Sequence, residues 1–286
     1  MKSVVFKLGV ACGFPFLLLA IYAYNDAIVS VQPPAVLPIK AGWFTMGSDA
    51  SDRVAAVKIC ARETRGQAER DRATFQNEGP AHKVYLTAYR IDRFEVSNQA
   101  YRRCVLANAC APSRLSDRDQ RLAAPQLPVA HVTWSEAQRY CKWIGGALPT
   151  EAQWERAARG VSGRRFPWGQ FYNSRLANHG SDDFGSDSND GYEFAAPVDS
   201  FFEARSQFGL LNMAGNVWEL TADYYASRYE KNAIRVDPTG PEKGEARVIR
   251  GGSWLSPACT LRTTHRAQIG RTESRRDVGF RCAYSR

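Results

Sequence analysis

Histidine is scarce in this chain, which has four in 286 residues: His82, His131, His179 and His265. No two of them have the spacing that places a pair on one face of a helix, as zinc-binding motifs require. The scarcity and the spacing argue against a histidine-based metal site. Each of the four is better interpreted as a hydrogen-bonded structural residue. The sequence also lacks an internal repeat, which argues against a solenoid or propeller.

A concentrated basic segment is also missing. The formal charge is +9, but the 38 basic residues are scattered among 29 acidic ones. There is no basic helix and no alternation of basic and aromatic residues of the kind that forms a nucleic-acid platform. We therefore expect no nucleic-acid partner and interpret the charge as solvated surface.

The N-terminus carries an export signal in its charge pattern. Lys2 and Lys7 precede an uncharged run from Leu8 to Asn25, 18 residues long, which ends at Asp26. This length lies between a signal-peptide core and a short membrane anchor. Residues 1–24 are therefore predicted to be a signal peptide or an anchor, with an exported, periplasmic or inner-membrane-anchored protein as the consequence. A Pro-containing tether over 25–40 is expected to follow, or to lead into the first strand.

Cysteine content agrees with an oxidising compartment. Apart from Cys12 in the N-terminal segment there are six cysteines, an even number, and thiols outside the cytoplasm tend to pair. Cys104 and Cys110 flank a short loop after a helical stretch and are able to close locally.

The remainder, 41–286, is predicted to be one domain of mixed α+β class. Gly42–Met46 indicates a strand, and alternating residues predict further strands over 83–86 and 89–96. Residues 49–77 look like a helical insertion, with a helix around 54–72. Capping-box patterns start helices at Thr133 and Thr150, which glycines end near 145 and 160. From residue 161 onward Gly, Asn, Asp, Ser and aromatic residues favour short strands and ordered loops.

Four motifs together carry a family resemblance. They are RGGSW at Arg250–Trp254, GFRC at Gly279–Cys282, LPTEAQWE at Leu148–Glu155 and NMAGNVWE at Asn212–Glu219. The chain resembles the formylglycine-generating enzyme (sulfatase-modifying factor) family over roughly residues 40–286. The resemblance implies an irregular, loop-rich fold related to C-type lectin domains.

The resemblance also shows a departure. Catalytic members of the family bind copper with two cysteines, two and seven residues beyond the aromatic of the Gly-Gly-Ser-aromatic turn. Here those positions hold Ser256 and Leu261. Thiolates select copper(I), and a hydroxyl with an aliphatic side chain does not replace them. Copper is therefore not expected, and Cys259, which lies between the two positions, is expected to be in a disulfide.

The family's pairing implies a bridge between Cys141 and Cys282. With Cys104 paired to Cys110, this leaves Cys60 and Cys259 as partners.

Two calcium sites follow from the resemblance. One uses the side chains of Asn212 and Glu219 with the carbonyls of Gly215 and Val217; the alternative is a tight turn into a buried Trp218. The other maps onto Asn178, His179, Asp190 and Tyr192. The intervening Asp182, Asp183 and Asp187 leave open an ordinary solvated acidic loop.

The segment that faces the family's groove supplies the remaining candidates, Ser256, Cys259, Arg262, His265 and Arg266. His265 is a candidate base. The arginines of the last forty residues either line a groove for a peptide, protein or small anionic ligand or brace acidic loops of the same domain; they are Arg262, Arg266, Arg271, Arg275 and Arg276.

Three functions follow from these observations. The first is an exported binding domain that is not a copper-dependent formylglycine oxidase. The second is an oxidoreductase with non-cysteine chemistry, as in family relatives that mature secreted metabolites and also lack the pair. The third and least favoured is genuine formylglycine formation.

Overall fold

In the part of the chain that the structure describes, three small sheets and four helices form the domain. The computed structural model of the protein describes residues 35–63, 74–115, 121–181, 185–186, 188–229 and 235–285. Within these ranges the strands are short, and long ordered loops connect them. The result is the mixed, loop-rich α+β architecture that the sequence predicts, in a single domain.

The first sheet joins the two ends of the domain. Strand β1 (Val36–Ile39) pairs antiparallel with β4 (Tyr89–Asp92), which pairs with β9 (Ala283–Ser285). The predicted tether over 25–40 is therefore wrong over 36–39, because these residues are a strand of the domain. Residues 25–34, like the hydrophobic run before them, lie outside the described residues.

A separate hairpin follows, in which β2 (Gly42–Met46) pairs with β3 (His82–Leu86). Between its strands lies the insertion. Helix α1 (Ala50–Glu63) starts earlier than predicted, a 3-10 turn covers Thr74–Glu78, and residues 64–73 lie outside the described ranges. The predicted strand over 89–96 ends at Asp92, where the chain leaves the sheet.

The largest sheet has four strands in the order β7-β6-β5-β8. Their bounds are Trp218–Tyr224 for β5, Ala246–Arg250 for β6, Arg266–Gly270 for β7 and Val278–Gly279 for β8. Only β5 and β8 run parallel among these pairs.

Three further helices pack against the sheets, and their ends follow from local chemistry. They are α2 (Asn98–Leu106), α3 (Trp134–Trp143) and α4 (Glu151–Arg159). Thr133 and Thr150 form complete capping boxes, as predicted, because each side chain accepts the N3 amide while the N3 side chain accepts the N-cap amide. Gly160 ends α4 at a φ of 69°, which glycine adopts without strain.

The core has two large clusters. One gathers around Tyr140, Trp218 and Phe280, and the other around Phe44, Trp154 and Leu210. Among the described residues no helix has the length and apolarity needed to cross a membrane.

Candidate functional site

The two positions that carry cysteines in catalytic relatives lie in the protein interior. Leu261 is fully buried, and Ser256 accepts a hydrogen bond from the amide of Ser253 at 2.9 Å. The turn before them is tight: Gly252 has a φ of 78°, and a Cβ there would lie 2.7 Å from Leu261 Cδ2. Leu261 therefore fills space as a core residue, and Ser256 completes a turn.

The insertion helix covers this segment. Cys60 on α1 is bonded to Cys259, which lies in a 3-10 turn spanning Ala258–Thr260. Ile59, on the same helix, packs against the apolar cluster that contains Leu261. The other two bridges are Cys104–Cys110 and Cys141–Cys282. All three predicted pairings are confirmed, so no cysteine within the described ranges is a free thiol.

Glu78 is the partner of two of the groove candidates. Its carboxylate accepts from Arg262 Nη1 at 2.8 Å and from Thr264 Oγ1 at 2.9 Å, and His265 Nδ1 lies 3.2 Å away. Burial alone would raise the pKa of Glu78, but the Arg262 guanidinium and the His265 contact hold that pKa far below its usual range. Glu78 is thus an anion that neutralises Arg262 inside the protein.

His265 is buried, so solvent and a ligand do not reach it as they would reach the general base that the sequence suggests. Its ring packs against the rings of Phe75 and Trp218, with centroids 5.6 and 5.7 Å away. Burial lowers its pKa, although the contact with Glu78 opposes the shift. The imidazole is therefore neutral near pH 7 and serves as a packed hydrogen-bonding group.

Arg266 is held by a second buried carboxylate. Its Nε and Nη2 donate to the two oxygens of Glu151, each at 2.8 Å. Burial by itself would lower the pKa of Arg266. The charge of Glu151 raises that pKa by more than burial lowers it, so the guanidinium stays charged. A two-point fork of this kind fixes both side chains.

The predicted open groove is not formed by these residues. Ser256, Cys259, Arg262, His265 and Arg266 are each between 1 % and 3 % exposed. Arg266 lines the pocket described below, but the expectation of a groove is wrong for the other four. Arg262 is neutralised in the interior by Glu78, because a buried guanidinium group requires a carboxylate partner.

The remaining arginines of the C-terminal cluster also have partners within the domain. Arg275 pairs with Asp277 at 2.9 Å, while Arg276 lies over the Trp254 ring and Arg271 near the Tyr224 ring. Of the two interpretations offered by the sequence, bracing is the one that the geometry supports.

A pocket does open on the other side of Arg266. It has a volume of about 320 Å³ and lies between the start of α4, the end of β5 and the loops over 226–229 and 237–242. Glu151, Asp223, Tyr229 and Arg266 converge on it. Tyr229 donates to Glu151 Oε1 at 3.2 Å, and Asp223 Oδ2 accepts the amide of Glu151 at 2.7 Å.

Two of the residues that line this pocket, Asp223 and Tyr229, have shifted pKa values. Burial and then the neighbouring charge of Glu151 raise the pKa of Asp223 to about 7. Burial also raises the pKa of Tyr229 well above its ordinary value. Groups with shifted pKa values that meet in a cavity are typical of functional sites.

The second predicted calcium set is brought together. Asp190 accepts the amide of His179 at 2.8 Å and that of Tyr192 at 2.9 Å, while Asn178 is buried beside them. Among the described residues Asn178 Oδ1 has no hydrogen-bond partner, and a side-chain amide oxygen of this type is one that calcium takes as a ligand. Asp182, Asp183 and Asp187 lie outside the described residues.

The first predicted calcium set is more constrained. Glu219 accepts from Arg281 Nε at 2.6 Å, from Arg281 Nη2 at 2.7 Å and from Trp154 Nε1 at 2.8 Å. Asn212 Nδ2 donates to Glu95, whose pKa burial raises to about 8. A carboxylate offers about four acceptor positions, so a cation here would share Glu219 with Arg281. The backbone of Gly215 and Val217 lies between these two side chains in sequence.

Sequence reasoning missed Glu78, Glu151 and Asp223. The available signal was the number of arginines in the C-terminal segment, because each buried guanidinium requires an acidic partner. Nothing in the sequence indicates which carboxylates those are. Among the described residues, no group of three His, Cys, Asp or Glu side chains forms a metal cluster.

Fold and site together define a class of protein: a disulfide-linked α+β domain with buried Arg–Glu pairs and no thiol at the positions of a redox pair. The chain belongs to the sulfatase-modifying factor family, since the model of the sulfatase-modifying factor enzyme 1-like domain matches residues 26–286.

Relatives of two kinds are similar to it. The formylglycine-generating enzyme of Thermomonospora curvata is 34% identical over 72% of this chain and 85% of its own length. The inactive C-alpha-formylglycine-generating enzyme 2 of Mus musculus is 31% identical over 89% of this chain and 87% of its own. Among solved structures, PvdO from Pseudomonas aeruginosa has a TM-score of 0.69 at 26% identity, covering 87% of this chain and 94% of that one.

Proposed function

We propose that this protein is an exported member of the family that does not make formylglycine and instead binds a peptide or small ligand. One observation carries the proposal. Ser256 and Leu261 occupy the two cysteine positions and are buried, and Cys259, the thiol between them in sequence, is bonded to Cys60. The described residues therefore offer no thiolate pair for a soft metal such as copper(I).

The pocket beside Arg266 is the proposed ligand site. The segment 256–266 lies in the interior, whereas the pocket is bounded by loops and reaches Glu151, Asp223 and Tyr229. Its volume of about 320 Å³ is near the lower end of the range for small-molecule sites. A side chain of a peptide or a compact metabolite matches that volume.

Export is supported by cysteine chemistry. Three disulfides lie within the described ranges, and disulfides persist in oxidising compartments. Lys2 and Lys7, followed by an uncharged run, form a charge pattern that is typical of an export signal. We infer a periplasmic protein, either released or held at the inner membrane by that run.

Calcium is proposed as a structural ion. The set around Asn178 and Asp190 fits it better than the set around Asn212 and Glu219. Among the described residues Asn178 Oδ1 is an orphaned amide oxygen, whereas the Glu219 carboxylate already accepts from Arg281. The ion would supply positive charge and fix the loop between Asn178 and Tyr192.

The test of the main proposal is an aldehyde assay. The purified protein is incubated with copper and a Cys-x-Pro-x-Arg peptide, and the peptide mass is followed. The Thermomonospora curvata relative, treated identically, is the positive control. We expect no aldehyde from this protein. Aldehyde formation above the protein-free background would overturn the proposal.

An oxidoreductase with non-cysteine chemistry is the second candidate, and the convergence of Asp223, Glu151 and Tyr229 on one pocket favours it. Paired groups of shifted pKa suit proton transfer. The distinguishing measurement is mass analysis of a bound ligand after prolonged incubation in air. Recovery of the ligand unchanged supports binding, whereas a product two mass units lighter that Asp223→Asn no longer forms supports the enzyme.

A further inference from the structure

Asp223 has an acceptor oxygen to which no described residue donates. Asp223 is 4% exposed, and its Oδ2 accepts a hydrogen bond from the backbone amide of Glu151. Within the described ranges Oδ1 has no hydrogen-bond donor, and it lies beside Gly240, where a Cβ would come within 2.9 Å of it. Asp223 lines the pocket, so this carboxylate oxygen is available to a hydrogen-bond donor that enters it.

The two cations whose charges act on this carboxylate already have other partners. Arg266 uses Nε and Nη2 on Glu151 and Nη1 on the carbonyls of Asn77 and Ala226. Arg247 donates to the carbonyl of Ala222 and lies over the rings of Trp134 and Tyr224. Neither guanidinium donates to Asp223, so its charge has no direct cationic partner among the residues that the structure describes.

The rim of the pocket also carries carboxylates, so it adds negative charge to that of Asp223. Asp237 and Glu242 line it together with Arg228, and all three are exposed. Four carboxylates and two guanidinium groups line the pocket, and Glu151 neutralises one of the two guanidinium groups. Arg247 adds a third positive charge near Asp223, which still leaves four negative charges against three. The pocket is net negative whenever Asp223 is ionised. A negative cavity with low-dielectric walls concentrates cations.

The walls suit a chain of methylene groups. Met46, Ala152, Pro238 and Pro241 contribute apolar surface, and Tyr229 contributes an aromatic edge. A long aliphatic amine or guanidine buries its stem along such surface and presents its charge at the end.

We propose that this pocket binds an organic cation of the size of a lysine or arginine side chain, with its ammonium or guanidinium group donating to Asp223 Oδ1. The inference rests on the proposed binding function and specifies the ligand chemistry of that site. It replaces the anionic ligand expected from the arginine-rich C-terminal segment.

Binding should depend on pH in a defined direction. A cation binds the ionised form of Asp223, whose pKa is raised to about 7 by burial and by Glu151. The ionised fraction therefore grows roughly tenfold from pH 6 to pH 8, and the affinity grows with it. The other titratable or charged groups that face Asp223 are Glu151, His82, Tyr229, Asp237, Glu242, Arg228, Arg247 and Arg266.

Calorimetric titration with four probes tests the inference. Cadaverine and agmatine supply the two cationic groups, 1,5-pentanediol is the neutral match, and glutarate is the anionic match. We expect the two cations to bind at pH 8 and the other two probes to give no heat. Cation affinity should fall roughly tenfold at pH 6.

Three variants locate the effect. Asp223→Asn keeps an acceptor for the Glu151 amide, and we expect it to weaken cadaverine at least tenfold, roughly the effect of losing a charged hydrogen bond, and to flatten the pH dependence. Glu242→Gln, at the exposed rim, should weaken it about twofold to threefold in low salt. Glu245→Gln, exposed on the same loop and outside the pocket, is the matched control and should bind as the wild type does.

The outcomes separate this inference from the function on which it rests. Glutarate binding, absence of heat with both cations, or cadaverine affinity unchanged by Asp223→Asn would overturn the cation assignment and leave the binding function standing. Aldehyde formation in the copper assay would remove the binding function whatever the pocket takes up.

Discussion

The Cys60–Cys259 disulfide joins the insertion helix α1 to the turn that lies between the two cysteine positions of catalytic relatives. Cys259, which lies between these two positions in sequence, therefore attaches a helix that covers the segment. Ile59 beside Cys60 packs on the cluster of Leu261, and this contact closes the segment from solvent. In this chain the two positions are buried, and the pocket that Asp223 lines is reached by Arg266 at the end of the segment.

Removal of this bridge should cost more stability than removal of the local one. Cys60 and Cys259 are 199 residues apart, and Cys104 and Cys110 are six apart. The chain-entropy argument gives about 5 kcal/mol for the Cys60→Ser/Cys259→Ser variant and about 2 kcal/mol for Cys104→Ser/Cys110→Ser. Denaturant unfolding of the two double variants measures the difference. Equal losses would show that α1 contributes little to the fold.

Glu78→Gln should be strongly destabilising, because it leaves the charge of Arg262 buried without a counter-ion. We expect a loss of about 3–5 kcal/mol in the free energy of unfolding. Glu203→Gln is the control, since its pair with Arg205 is exposed and should matter by less than about 1 kcal/mol. A similar small loss in both variants would contradict the role given to Glu78.

The effect of Glu78→Gln should also shrink in acid. The pKa of Glu78 is lowered in the folded state from an ordinary value of 4.5, so its stabilisation is complete above that pH and is lost as the pH falls toward the folded pKa. The pKa of His265 is likewise lowered from 6.5, which adds a loss of stability in the wild type below that pH. Unfolding curves at pH 7, 5 and 3 measure both trends. A difference between wild type and variant that stays constant to pH 3 would contradict the assignment.

Leu261→Ala tests whether the second cysteine position is core. A fully buried leucine that is cut to alanine leaves a cavity, and the expected loss is about 2–5 kcal/mol. Leu106→Ala, at a residue 72% exposed, should change stability by no more than about 0.5 kcal/mol. Thermal melting of the two variants side by side gives the comparison. Tolerance of both changes would place Leu261 at a surface.

Calcium should stabilise the loop between Asn178 and Tyr192. At a hundredfold excess over the Kd, calcium would add about 2.7 kcal/mol, which raises the Tm by roughly 5–10 °C over the EDTA-treated protein. Asp190→Asn should reduce this shift, and the exposed Asp199→Asn should keep it. A Tm that EDTA and calcium leave unchanged would argue against the ion.

Local signals in the sequence were enough for part of the fold. Thr133 and Thr150 start their helices because a capping box uses residues three apart, and Gly160 ends one because it tolerates a positive φ. The bridge Cys141–Cys282 followed from the family resemblance. The sequence predicts a domain that starts at residue 41, but the domain already includes β1 at Val36–Ile39. These residues are a strand because they pair with β4, and that pairing leaves no local signal.

The sequence by itself determined the family and the replacement of the cysteine pair by Ser256 and Leu261, because both depend on which residue stands at a fixed distance from a motif. Only the tertiary structure decided that these residues are buried, that Glu78 neutralises Arg262 and that Asp223 faces a pocket. Glu78 and Arg262 are 184 positions apart. Burial and charge pairing over such separations are set by the packing of the whole domain, for which neighbouring residues carry no signal.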